Sequence, residues 1–269
     1  MGAGVTRYWA KGKRPRDSVV APSIRAVRPK RDEIDKGCTR VRGVVDEKNI
    51  GAMLEHLSGK DAILGDVIKV VGPPDAWIKG ATTEESFQRG SSCTSLVRSI
   101  CGQQISTKAA ASIFGRVLAK YPAEGDGLSC SASALASADE DELKTLGLSG
   151  RKAAYVKGIA ERFATQALTD EALTRMTDAE VTEALTDVKG IGKWTADMFL
   201  IFHLRRQDVL PEGDLGVRKG AGTLYSGGKA VAPAALEAIA ESWRPYRSVG
   251  SYYMWRVGEY KRIKSEMTS

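Results

Sequence analysis

Two glycines and a carboxylate carry the first chemical signal. In Val188-Lys-Gly-Ile-Gly192 a pair of glycines flanks one apolar residue between two helical patterns. That spacing allows a tight hairpin whose backbone N–H groups point outward together with the start of the next helix. Unpaired donors of this kind, aided by the helix dipole, hold a phosphate oxygen. Gly190 and Gly192 are therefore candidate phosphate-binding positions, Lys193 adds positive charge beside them, and Ile191 can plug the turn into the core. A plain helix-to-helix turn fits the same bare G-x-G. Twenty-two residues after Gly192 stands Asp214, in Asp208-Val-Leu-Pro-Glu-Gly-Asp-Leu-Gly216, between a Pro/Gly turn and a helical pattern. The placement predicts an N-cap, and it also holds a carboxylate rigidly near the mouth of any cleft the hairpin makes; the two roles can coexist.

The elements that must position these groups are helices. From about Asp46 onward the apolar spacing is helical almost throughout and no stretch alternates like a strand, so the fold class is all-α. Leu96, Val97, Ile100 and Cys101 make a short buried helix ended by Gly102-Gln-Gln-Ile105; Ser106 then caps a helix with Ala110, Ile113, Phe114, Val117 and Leu118 on one face. Residues 129–138, rich in Ala and Ser, read as a connector before a long helix carrying Val156, Ile159, Ala160 and Phe163. Thr177-Asp-Ala-Glu180 is a capping box opening the helix that leads into the hairpin. The second hairpin helix runs to about Leu204, and further helices are expected near 215–226, 232–242 and 249–261.

Composition narrows the classes. The chain has 269 residues, 42% hydrophobic and 27% charged, with no apolar run long enough to span a membrane. Cys38, Cys93, Cys101 and Cys130 lie far apart without a C-x-x-C, which argues against a zinc site, a cysteine-bound iron–sulfur cluster and an oxidising compartment; no metal ligands are assigned. Residues 1–31 hold nine Lys/Arg and one acid, so the +7 net charge lies entirely in the tail. Residues 1–45 form a basic segment expected to be disordered. They read as nuclear-import clusters, a DNA-grasping arm or an organellar leader. The expected location is the nucleus in a eukaryote, with organellar targeting open, or the cytoplasm in a bacterium.

Four ordered motifs resemble one family. Leu96-Val-Arg-Ser-Ile-Cys-Gly-Gln-Gln-Ile-Ser106, Val188-Lys-Gly-Ile-Gly-Lys-Trp-Thr-Ala196, Asp208-Val-Leu-Pro-Glu-Gly-Asp-Leu-Gly216 and Trp243-Arg-Pro-Tyr-Arg-Ser248 with Trp255 look like the helix-hairpin-helix DNA glycosylase superfamily. The branch they resemble is that of 3-methyladenine DNA glycosylase II and the yeast alkylbase glycosylases, over about residues 50–261. The resemblance implies two helical lobes in residues 46–269 with the active cleft between them: a hairpin lobe at about 106–215 and a second lobe from about 46–105 and 216–262.

It also implies roles for individual residues. A base must leave the duplex before its glycosidic bond can be broken, and Gln104, with Gln103 and Ile105 beside it, occupies the place of the wedge that fills the gap. Trp194 and Trp255 match the base-pocket aromatics, whose faces attract a cationic alkylated purine; Tyr252 or Tyr253 can add another wall. Asp214 would stabilise an oxocarbenium-like sugar and orient water. Trp194 stands where the endonuclease III branch carries its Schiff-base lysine, which implies a monofunctional enzyme for 3-methyladenine and 7-methylguanine in double-stranded DNA. The expected product is an intact abasic strand, passed to an abasic-site endonuclease. No organic cofactor is expected, with room for a monovalent cation between hairpin carbonyls and a phosphate; a monomer without membrane association is expected. The alternatives are a bifunctional glycosylase/lyase, a non-catalytic hairpin module that clamps DNA, and a helical protein-binding scaffold. His56 and His203 are expected in structural positions, and Arg244 and Arg247 either contact DNA or satisfy helix ends.

Overall fold

The computed structural model describes residues 43–78, 90–125 and 127–268. The basic clusters of the tail and Cys38 lie outside the described residues. In chain order the helices are α1 (Ile50–Lys60), α2 (Ala62–Val71), α3 (Asp75–Ile78), α4 (Ser92–Gly102), α5 (Thr107–Lys120), α6 (Ala132–Ser137), α7 (Glu140–Thr145), α8 (Gly150–Ala164), α9 (Asp170–Arg175), α10 (Asp178–Thr186), α11 (Lys193–Met198), α12 (Leu215–Tyr225), α13 (Pro233–Ala240), α14 (Arg247–Trp255) and α15 (Val257–Thr268). Among the described residues extended pairing is confined to two isolated bridges, Val44 with Arg206 and Pro122 with Cys130, so the all-α expectation holds.

Local signals place most boundaries. Ser106 Oγ accepts from Ala109 N at 3.3 Å and starts α5. The capping box closes from both sides: Glu180 N donates to Thr177 Oγ1 at 3.0 Å and Thr177 N to Glu180 Oε2 at 2.6 Å. Three readings differ. The connector at 129–138 contains α6, whose Ser131 caps Ala134 N and whose Leu135 is fully buried where α6 packs on α8. The second hairpin helix leaves α-geometry after Met198 and continues as a π-helical turn, Phe199–His203. The last expected helix is two, α14 and α15, separated at Arg256.

Two groups of helices share the core. α4, α5, α6, α7 and α8 pack on one another, and α10 packs on α11; α4, which the expected division at residue 105 places with the other lobe, packs against α5 and α8. The chain ends meet in the second group, where α1 and α2 pack with α12, α14 and α15 through the pairs α1·α2, α2·α14, α2·α15 and α12·α14. Asp61 ties this group together. It caps α2 by accepting from Leu64 N, and its other oxygen accepts from Tyr225 Oη at 2.7 Å and Trp243 Nε1 at 3.0 Å. Cys93, Cys101 and Cys130 are free and buried; burial raises all three thiols, the first two to about 12 and Cys130 to about 11, so none is a ready nucleophile.

Candidate active site

Asp214 is the N-cap of α12, its Oδ1 accepting from Val217 N at 2.8 Å. Its side chain does more than cap. Trp255 Nε1 donates to the same Oδ1 at 2.9 Å, and Trp194 Nε1 donates to Oδ2 at 2.7 Å. Two indoles from α11 and α14 therefore converge on one carboxylate. Asp214 is only 8% exposed whereas Trp194 is 50% exposed, so Trp194 is the outer cover of this carboxylate. With two donors on Oδ1 and one on Oδ2, the Oδ2 edge retains more accepting capacity.

The loop bearing Asp214 is fixed from behind. Arg247 donates from Nε to Asp208 Oδ1 at 2.7 Å and from Nη2 to Oδ2 at 3.0 Å, a fork on one carboxylate, and Arg244 Nη1 adds a bond to Oδ2 at 3.2 Å. Ser248 Oγ accepts from Val209 N at 2.9 Å, and Ser248 N donates to Gln207 O. Both arginines thus hold Asp208. Gly216, the second residue of α12, is required by close approach: a Cβ there would lie 2.8 Å from Trp255 Cδ1 and 3.0 Å from Asp214 Oδ1.

A cavity of about 1040 Å³ adjoins the carboxylate's outer indole. Trp194, Met198 and Phe202 line it together with, among others, Arg98, Gln104 and Phe114. Asp214 is not in the cavity wall; Trp194 belongs to both, its ring facing the cavity and its N–H the carboxylate. Behind it runs an aromatic chain. Trp255 lies 5.5 Å from Phe202, Phe202 5.9 Å from Trp77, and Trp77 stacks on Tyr252 at 5.4 Å. Of these rings only Phe202 lines the cavity; Trp255, expected as a base-pocket aromatic, stands behind it with its N–H on Asp214, Tyr252 is buried against Trp77, and Tyr253 is buried with its hydroxyl on Gly72 O at 2.9 Å. Phe202 and Trp77 escaped the sequence reading because aromatics at helical spacing look like ordinary core.

The hairpin forms between α10 and α11. Gly190 has φ +96, and a Cβ there would collide with the Tyr155 ring at 2.2 Å, so position 190 requires glycine on both grounds. Ile191 is buried beneath the turn, and Gly192 leads into α11 without a side-chain cap, leaving first-turn N–H groups without an intrahelical partner. Lys193, at the first position of α11, pairs with Asp197 Oδ2 at 3.0 Å and reaches Glu212 Oε1 at 3.6 Å, bracing the helix start against the Asp214 loop.

The two glutamines of the 102–105 turn part company. Gln104 is exposed with φ +57, an unusual backbone for a residue with a side chain. Gln103 instead turns inward, donating from Nε2 to Gly190 O at 3.0 Å. Lys152 of α8 lies under the same turn, its Nζ donating to Cys101 O and Gln103 O, both at 2.7 Å. Nothing in the sequence marked Lys152, since one lysine on a helix reads as solvated. Both histidines hold structural contacts: His56 Nε2 donates to Arg244 O at 2.8 Å, and His203 stacks on Phe199 beside Ser92.

The chain as a whole is similar to known proteins. The profile of the HhH-GPD superfamily of base excision DNA repair proteins matches residues 97–245. The chain is 30% identical over 205 residues to the DNA-3-methyladenine glycosylase 1 of Schizosaccharomyces pombe, covering 76% of this chain and 86% of that one. It is 31% identical over 249 residues to the DNA-3-methyladenine glycosylase of Saccharomyces cerevisiae, covering 78% and 80%. The solved structure of the S. pombe 3-methyladenine DNA glycosylase in complex with abasic DNA superposes with a TM-score of 0.64, covering 76% of this chain and 95% of that one. The DNA-3-methyladenine glycosidase of Bacillus halodurans, 28% identical, gives 0.65 over 81% and 96%. With the hairpin, the capped aspartate and its flanking tryptophans in place, the chain belongs to the HhH-GPD superfamily of base excision DNA repair proteins.

Proposed function

We propose that the chain flips an alkylated purine nucleotide out of duplex DNA and hydrolyses its N-glycosidic bond, as a monofunctional glycosylase of the 3-methyladenine type acting in base excision repair. The observation that carries this reading is the Asp214 carboxylate held between two indole N–H groups beside a cavity large enough for a purine. The Gly190–Gly192 hairpin grips a backbone phosphate through its N–H groups, and Gln104 enters the stack where the nucleotide has left. The base lodges against Trp194 and Phe202. A purine alkylated at N3 or N7 is cationic, so aromatic faces attract it beyond ordinary stacking, and it departs without prior protonation.

Asp214 then acts on the sugar. As the C1′–N bond breaks, its electron pair leaves with the base and neutralises the base cation, while C1′ becomes oxocarbenium-like. The Oδ2 edge of Asp214 stabilises that charge once Trp194 yields its bond, and orients a water whose oxygen adds to C1′ and whose proton is released. Trp255 and Val217 keep Oδ1 engaged throughout. No amine is needed, and Lys193 Nζ is held by Asp197 and Glu212, so borohydride trapping on damaged DNA should leave no covalent adduct. Val188 O and Gly190 O already accept from Ile191 N and Gln103 Nε2; each oxygen retains a lone pair with which a monovalent cation fits, and such an ion would supply charge beside the phosphate.

The test is Asp214→Asn, measured for both binding and base release on duplexes carrying 3-methyladenine or 7-methylguanine. Affinity for the lesion duplex should persist while base release falls by at least about 10²–10³-fold. Release at the wild-type rate would falsify the assigned mechanism.

A further inference from the structure

We propose that Lys152 is a positioning residue for the DNA wedge: its ammonium pins two carbonyls, those of Cys101 and Gln103, on the chain leading into Gln104, and so sets where that side chain projects relative to the phosphate-gripping hairpin. The inference rests on the reading of Gln104 as the wedge. α4 ends at Gly102, and the last carbonyls of a helix lack intrahelical partners. One of them, Cys101 O, and the following Gln103 O both accept from Lys152 Nζ at 2.7 Å. Ser149 caps α8 through Lys152 N, placing the lysine in the first turn of α8, which packs on α4. A cation at the carboxyl end of α4 is also favoured by the negative end of its dipole.

The cost of this placement points the same way. Partial burial pushes the Lys152 ammonium below its ordinary pKa, so water is given up to reach the two carbonyls. What the bonds secure is an uncommon backbone. Gln104 sits at φ +57, and a non-glycine residue stays in that region only where its surroundings over-determine it. Lys152 fixes the turn from α8, and the Gln103 amide fixes it from the hairpin through Gly190 O. Wedge and hairpin are thereby joined at a set separation. Neither Lys152 bond reaches Asp214, Trp194 or Trp255, so its effect belongs to opening the duplex and not to the chemistry.

The experiment separates those two steps. Single-turnover base release is measured for 7-methylguanine in a fully paired duplex and for the same lesion opposite an abasic site, where no partner base holds it in place. Lys152→Met keeps the stem and removes the donors. It should slow release from the paired duplex about tenfold, the loss expected from two charge-assisted bonds shared with a tolerant loop, and leave the abasic-opposed rate within about twofold. Lys152→Arg should recover part of the paired-duplex rate, and the melting temperature of each variant shows whether the fold is kept. Equal slowing on both duplexes, or none on either, overturns the inference. Gln104→Ala is run alongside: if it too spares the abasic-opposed lesion while Lys152→Met does not discriminate, only the role of Lys152 fails. If Gln104→Ala fails to discriminate, the wedge reading falls and takes this inference with it.

Discussion

In the proposed function Asp214 and Gln104 are the two points that meet DNA at defined places, and they are held by opposite means. Asp214 is held through its side chain: three N–H donors converge on its carboxylate, and the fork of Arg247 on Asp208 anchors the loop behind it. Gln104 is held through its backbone: carbonyls on both sides of Gly102 accept from Lys152, the neighbouring Gln103 is tied to the hairpin, and its own side chain stays exposed. The difference follows from the work each does. A carboxylate that stabilises developing charge is most effective when its dipolar surroundings are arranged beforehand. A wedge must enter a gap whose shape varies with the lesion, so only its point of departure can be fixed.

The contrast can be broken at the carboxylate. Trp255→Phe keeps an aromatic ring against Phe202 and removes the N–H that reaches Asp214 Oδ1. Base release should fall about tenfold or more, the loss of a hydrogen bond to a charged group. Because the defect lies after base eversion, paired and abasic-opposed lesions should slow equally. A variant that slowed only the paired duplex would place Trp255 in duplex opening and blur the distinction between the two regions.

Gly190 sharpens the same comparison at the hairpin. Gly190→Ala forces a side chain into positive φ and against the Tyr155 ring, at a cost of about 1–3 kcal/mol to the local geometry. The carbonyl that receives Gln103 shifts with it. Affinity for undamaged duplex, measured by titration at fixed salt, should weaken severalfold, whereas the base-release rate at saturating enzyme on an abasic-opposed lesion should change less. A wild-type affinity with a collapsed rate would assign the hairpin to chemistry instead.

How much of this was visible beforehand follows the same divide. Asp214 was legible because capping is a local rule: an acid after Pro/Gly and before an apolar stripe has few other places to be. The hairpin was legible for the same reason, as two glycines around one plug residue. Trp194 and Trp255 were found only through resemblance, because a tryptophan on a helix ordinarily belongs to the core. Resemblance put Gln104 in the wedge position with Gln103 beside it, but no local rule separates two adjacent glutamines; the positive φ at 104 and the bond from Gln103 to Gly190 O come only from the structure. Lys152 and the Asp208–Arg247 fork were illegible because their partners lie 49 and 39 positions away, beyond any periodic pattern. α6 was missed because six residues are too few to establish a period, and α14 and α15 were merged because no Gly or Pro stands at Arg256 where they part.

The smallest expected effect lies at the seam between the hairpin and the Asp214 loop. Asp197, one turn along α11, is buried and shares the Lys193 ammonium with Glu212. Burial raises its pKa, and the bond from Lys193, which lowers it, does not fully compensate. A carboxyl whose pKa is higher folded than unfolded contributes stability that is complete below its unfolded pKa, about 3.9, and lost as pH rises through its folded value. Against an Asp197→Asn variant, which cannot ionise, the wild-type protein should therefore lose relative stability from about pH 4 upward and level off by neutrality. Urea midpoints of the two proteins across that range measure it, compared as a difference so that the other carboxylates cancel. A difference that instead grew in favour of the wild type with rising pH would mean that the Lys193 pair outweighs burial. The hairpin and the catalytic loop would then be clamped together by charge, and the start of α11 would have to be grouped with Asp214 as a region held through its side chains.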